Sequence, residues 1–164
     1  MASKDIQLMA HLMRRAGFGA PYEELEERTA KGYEATVEEL LRAEEKPDWE
    51  EDIARRHLIG GHLGNAMPEI QGYWMQRMIS TTRPLREKMT LFWHTILCSG
   101  DKIDHPETMD AHIDMVRENA LGRYPDLLTA LSRDPGMIIY LDNRYSHKDS
   151  INENYGRELL ELFS

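Results

Sequence analysis

The chain has 164 residues, enough for one ordinary domain with its own core, and its 41% hydrophobic content is that of a globular rather than a disordered sequence. A formal net charge of -9 repels polyphosphate and argues against nucleic-acid binding, and Arg14 with Arg15 is too small a cluster to make a basic patch. Cys98 is the only cysteine, so no internal disulfide and no cysteine-based zinc site can form within the chain, and no apolar run approaches the length of a membrane span.

Leucine, methionine, glutamate and arginine dominate, and valine occurs only at Val37 and Val116, a balance that favours helix over strand. The opening Met1-Ala2-Ser3-Lys4-Asp5 has no apolar signal core, so the sequence as it stands carries no export signal. Ile6, Met9, Met13 and Ala16 recur at helical spacing behind Ser3 as N-cap, and Gly17 and Gly19 stop that helix. A second helix is expected over Tyr22 to Lys31 with Gly32 as its C-cap. A third covers Tyr33 to Ala43, and a polar fourth covers Asp48 to Leu58.

Residues 59–67 contain Gly60, Gly61 and Gly64 and read as a flexible connector. They lack the Gly-Lys-Ser/Thr ending of a phosphate loop. Pro68 opens a helix to about Thr82 and Pro84 opens the next, with Leu85, Met89, Phe92, Trp93 and Ile96 as its apolar stripe. Cys98 follows as a buried, inert thiol. Asp104 and Glu107 have capping-box spacing around Pro106, and Met109, Ile113, Val116 and Ala120 line one face of the helix beyond. Tyr124 to Arg133 is a further helix, broken by Asp134-Pro135-Gly136. Met137 to Leu141 is a short apolar piece compatible with helix or strand, and 144–150 is a polar loop. The last helix starts near Ile151 with a Ser150/Glu153 capping box and an apolar face of Tyr155, Leu159, Leu162 and Phe163. That face is still running at Ser164, so the sequence reads as a single helical domain or the N-terminal portion of a longer one. The expected fold is all-α, an irregular array of about eight to ten helices, with the last helix packed against the one carrying Trp93 and His94.

Several residues are candidates for chemistry. His94 follows a tryptophan on a core-forming helix; it is a metal ligand or general base in one reading and a half-buried structural histidine in the other. No HExxH-type spacing accompanies it, and no metal site is assigned. Arg86 suits an anionic ligand or an ion pair with a carboxylate such as Glu158. Glu153, Arg157 and Glu161 fall at four-residue intervals, the pattern of intrahelical salt bridges, while Asn154 and Glu158 form a polar row nearer the apolar face. Asp142 and Glu153 span twelve positions, but Arg144 and His147 stand where a calcium loop needs a ligand and glycine. Asp101, Asp104 and His105 are a weaker divalent-ion candidate, and the ten methionines read as core filler.

Four blocks then form an ordered series: His11-Leu12 with Arg14-Arg15-Ala16-Gly17-Phe18-Gly19; Pro84-Leu85-Arg86-Glu87-Lys88-Met89 with Leu91-Phe92-Trp93-His94; Asp134-Pro135-Gly136-Met137 with Tyr140-Leu141-Asp142-Asn143; and Asn152-Glu153-Asn154-Tyr155-Gly156-Arg157-Glu158-Leu159 with Glu161-Leu162-Phe163. This series resembles the bacterial family known as domain of unknown function 1800. The resemblance implies a helical, commonly exported protein, longer than this chain, often encoded beside a sulfatase-like partner, with no settled activity or cofactor. Three positions depart from that family: Pro21-Tyr22 replaces Thr-Pro, Gly156 replaces alanine, and Thr95-Ile96 replaces Asn-His, removing a second candidate ligand beside His94. The function expected is that of an interaction or scaffold protein acting with a partner enzyme. The alternative is a metal-dependent hydrolase using His94, Arg157 and Glu158 as catalytic groups and Arg86 and Asn154 for binding, completed by residues beyond Ser164.

Overall fold

The computed structural model describes residues 3–47, 67–97, 99–100, 103 and 105–163. The expected helix over Asp48 to Leu58, all but the last residue of the connector, the Cys98 thiol and the Asp101 and Asp104 carboxylates lie outside the described residues. Among the described residues there are nine α-helices and no strand beyond one isolated bridge between His147 and Ser150. The fold is all-α, as the composition indicates. No helix among them is long and apolar enough to cross a membrane. The helices belong to two compact units, the first drawn from Met1–His62 and Gln71–Lys88, the second from Leu63–Ile70 and Met89–Ser164.

In the first unit, α1 (Lys4–Arg15) begins where the Ile6 amide donates to Ser3 Oγ at 3.3 Å. Asp5 and the pair Arg14 and Arg15 complement the helix dipole at its two ends. Helix α2 (Tyr22–Lys31) ends at Gly32, whose φ of 104° lies in the region glycine alone enters freely, and α3 (Tyr33–Leu41) follows at once. Met9, Met13, Leu25 and Leu40 make the core, with Ile6, Leu12, Ala16 and Leu85 against it. Helix α3 stops at Leu41, two residues short of the sequence expectation, and a 3₁₀ turn takes Ala43–Glu45.

Helices α4 (Met67–Ser80) and α5 (Pro84–Ile96) each contribute to both units. Along α5 the buried side chains differ from the predicted apolar stripe. Glu87 and Thr90 are fully buried while Phe92 is 48% exposed. Glu87 is accommodated because Arg77 and Trp74 of α4 donate to its carboxylate, at 3.0 and 3.3 Å.

The second unit continues with α6 (Pro106–Asn119), α7 (Tyr124–Leu131), α8 (Pro135–Tyr140) and α9 (Asn154–Glu161). Its core is Leu97, Leu127, Leu131, Met137 and Phe163, with Trp93, Tyr155 and Leu159 packed on it, so the last helix shares a core with the Trp93 helix. Trp93 is fixed on two sides: its indole donates to Ala120 O at 3.0 Å and its face stacks on Tyr124, centroids 5.1 Å apart. The Tyr124 hydroxyl in turn donates to the Phe163 carbonyl. The apolar piece after Gly136 is helix, because Asp134 accepts from the Met137 amide at 2.7 Å and Pro135 occupies the first turn.

The start of α9 corrects the sequence expectation. No Ser150/Glu153 capping box forms; the helix begins at Asn154, whose amide donates to Asn152 Oδ1 at 2.8 Å. Asn152 Nδ2 also donates to the Leu141 and Asp142 carbonyls, at 3.1 and 3.0 Å. Asp142 carries φ 58°, which turns the chain out of α8. Leu162, placed on the apolar face by the sequence, is exposed, and so are Leu160 and Ile151.

Candidate functional site

A cleft of about 380 Å³ opens in the second unit beside α9. Tyr140, Leu141, Asn154, Arg157, Glu158, Leu162 and Phe163 line it, so three of the five residues singled out from sequence share one hollow. They do so because 154, 157 and 158 follow helical spacing, which puts them on one side of α9. Asn154 donates to Leu141 O at 3.4 Å and accepts from Arg157 at 3.1 Å. The Arg157 guanidinium is also 3.8 Å from Glu158, its ion-pair partner in place of the expected Glu153 and Glu161. The Arg157 side chain is 49% exposed and that of Glu158 23%. A cation and an anion therefore stand side by side in a cleft also lined by the apolar Leu141 and Phe163, an arrangement suited to a ligand with one charged group and one apolar group.

His94 does not line this cleft. It is half-buried on α5, and burial first, then the neighbouring His112, push its pKa down to about 4. At neutral pH its ring is uncharged, which suits a metal ligand better than a general base for reactions near pH 7. His112, on α6, was not singled out from the sequence. Its ring centre is 5.6 Å from that of His94, the planes inclined by 59°.

His112 is fully buried, and its Nδ1 is 2.7 Å from Asp134 Oδ2. The same carboxylate oxygen caps α8. Gly136 makes this junction possible: a Cβ there would stand 3.0 Å from Asp134 Oδ2, 3.2 Å from Ile103 Cδ1 and 3.3 Å from His112 Cβ. The block Asp134-Pro135-Gly136-Met137 thus encodes a cap, a first-turn proline, a gap and a core residue. The other His112 nitrogen, Nε2, is buried and has no hydrogen-bond partner among the described residues. The signal for His112 was present in the sequence: 109, 112, 113 and 116 share a helix face, so it is a polar residue on an apolar stripe.

Arg86 belongs to the first unit, where its guanidinium lies 3.8 Å from the Glu44 carboxylate. Arg83 reaches the same Glu44 at 3.2 Å. The first unit also has a larger hollow, about 910 Å³, lined by Glu24, Arg28, Glu39 and Lys46 among others. Those charges neutralise one another, with Arg28–Glu24 at 2.7 Å, Lys46–Glu39 at 3.0 Å and Arg28–Glu39 at 3.6 Å, which leaves little net charge to recognise a ligand. Among the described residues no cluster of three or more His, Cys, Asp or Glu side chains is placed to enclose a metal ion.

A family model described as "Protein of unknown function (DUF1800)" matches residues 11–164. No curated protein matches the chain, and no solved structure does.

Proposed function

We propose that this chain, which belongs to the DUF1800 family of proteins of unknown function, is an interaction protein that docks a segment of a partner protein in the cleft beside α9. The observation that carries the reading is the composition of that cleft. Arg157 and Glu158 offer complementary charges, and Leu141 and Phe163 offer an apolar lining. Leu162, which lines the cleft, is 64% exposed, and Leu160 on α9 is 77% exposed. Large aliphatic side chains in water next to a half-exposed arginine are the ingredients of a protein contact, where arginine and apolar anchors carry much of the binding energy. The occupant that fits is an extended partner segment presenting a carboxylate to Arg157 and an apolar side chain to Phe163. The family resemblance suggests a sulfatase-like protein as that partner.

The test is site-specific. A photo-crosslinker at Leu160 in the native host is expected to trap one defined partner, and the purified partner is expected to bind the isolated protein. Arg157→Glu is expected to weaken that binding at least tenfold while leaving the helical content unchanged. The reading is overturned if the Leu160 probe traps nothing, or if Arg157→Glu binds as tightly as the parent chain.

A further inference from the structure

We infer that His112 and His94 together form a binding site for one divalent transition-metal ion of the zinc class, with Asp134 holding His112 in place from behind. This site is separate from the α9 cleft and stands on different residues.

The first support is the state of His112. Its Nδ1 is committed to Asp134 at 2.7 Å, which in the neutral ring puts the proton on Nδ1 and the lone pair on Nε2. That Nε2 is buried and has no hydrogen-bond partner among the described residues. A carboxylate behind one imidazole nitrogen with the other left available is the usual environment of a metal-bound histidine.

The second support is distance. A metal about 2.0–2.1 Å from one nitrogen of each ring, in tetrahedral geometry, holds two imidazole centres roughly 5 Å apart. The rings of His94 and His112 are 5.6 Å apart and inclined rather than stacked, a separation close to that of two histidines sharing one ion. His94 is half-buried, whereas His112 is sealed, so the ion enters past His94.

The third support is rigidity. The same Asp134 oxygen that meets His112 also accepts from the Met137 amide, and Gly136 leaves no spare room around it. A carboxylate locked twice cannot swing in to ligate, so it stays an outer partner that orients the ring. Two imidazole nitrogens as ligands select zinc, cobalt, nickel or copper over magnesium and calcium. With two histidines from the described residues, the remaining positions go to water or to an oxygen ligand, so the ion stays open to exchange.

The probe is the metal alone. The chain, freed of metal by chelation, is titrated with Zn²⁺ by calorimetry and with Co²⁺ by visible absorption. One equivalent per chain is expected, with Co²⁺ bands of low-symmetry nitrogen ligation. His94→Gln and His112→Gln are each expected to abolish stoichiometric binding, and Asp134→Asn, which keeps an acceptor for the Met137 amide, is expected to weaken it about 10–100-fold. If His112→Gln fails to fold, His94→Gln and Asp134→Asn decide the matter, with circular dichroism as the check on folding. The proposal is overturned by the absence of one-to-one binding, or by binding that persists unchanged in His94→Gln, which would place the ion on surface histidines.

Discussion

Arg77 Nε donates to Glu87 Oε1 at 3.0 Å, and neither side chain reaches water to any useful extent. Trp74 adds its indole N–H to the other carboxylate oxygen at 3.3 Å. A buried ion pair gains little over an apolar pair of the same shape, but removing one member strands the other charge. Glu87→Ala is therefore expected to cost about 3–5 kcal/mol in urea denaturation, because it leaves the Arg77 guanidinium buried without its carboxylate. Arg77→Met combined with Glu87→Leu is expected to cost much less than the sum of the single changes. Additive losses would show that the two side chains act independently.

Two glycines are expected to respond in opposite directions to the same change. At Gly136 a methyl group would meet Asp134 Oδ2 at 3.0 Å and a His112 Cβ at 3.3 Å, in a place where the helix cap and the histidine share one oxygen. Gly136→Ala is expected to destabilise by about 1–3 kcal/mol through overpacking and displacement of Asp134. At Gly156, inside α9, nothing lies within 4 Å of the added carbon. Gly156→Ala is expected to stabilise by about 0.5–1 kcal/mol, by lowering the entropy of the unfolded chain and raising helix propensity. Thermal melts of the two variants on the same day settle the signs, and equal shifts would contradict the argument.

Helices were legible from the sequence because a 3.6-residue period survives in the spacing of Met9 and Met13 and of Ile113, Val116 and Ala120, all of them buried. Ends depended on local chemistry that spacing underdetermines. Ser150 and Glu153 have the right separation for a capping box, yet it is Asn152, just before the helix, whose side chain accepts from the Asn154 amide and also reaches two carbonyls at the end of α8. Within the site, Asn154, Arg157 and Glu158 were legible because one helix carries all three. The His112–Asp134 contact was not, because its partners are 22 residues apart and meet only through the packing of α6 against the start of α8. Arg86 shows the same limit: an arginine on a helix announces an ion pair, but nothing in its spacing points to Glu44, which lies 3.8 Å away.

Asn152 makes a sharper test of how α9 is held. Its amide group donates to two carbonyls and its oxygen accepts the Asn154 amide, so one side chain ties the helix start to the turn at Asp142. Asn152→Ala removes all three bonds and is expected to cost about 1–3 kcal/mol, with faster hydrogen exchange in residues 154–161. Asn152→Asp keeps the acceptor for Asn154 but sets a carboxylate against two carbonyl oxygens. It is expected to be no better than alanine at neutral pH and to improve on acidification. An aspartate variant as stable as the parent at pH 7 would mean that the cap alone holds the helix.

The acid limb of stability carries the signature of Glu39. Hydrogen bonds from Lys31 and then Lys46, with Arg28 nearby, hold its carboxyl well below the usual 4.5, at about 2. The folded state thus binds this proton less readily than the unfolded state does. Its contribution is fully present above pH 4.5 and is lost as pH falls from 4.5 towards 2. The lysine partners are 47% and 41% exposed, so solvent and salt screen much of the attraction, and each such pair is worth about 0.2–1 kcal/mol. Glu39→Gln is expected to lower the melting temperature modestly at pH 7, with the gap to the parent closing as pH approaches 2 and shrinking in 0.5 M salt. Many carboxylates titrate in that window, so the informative quantity is the difference between the two melting curves, in which every other group cancels. A difference constant from pH 7 to pH 2 would mean that Glu39 stabilises the first unit by packing rather than by charge.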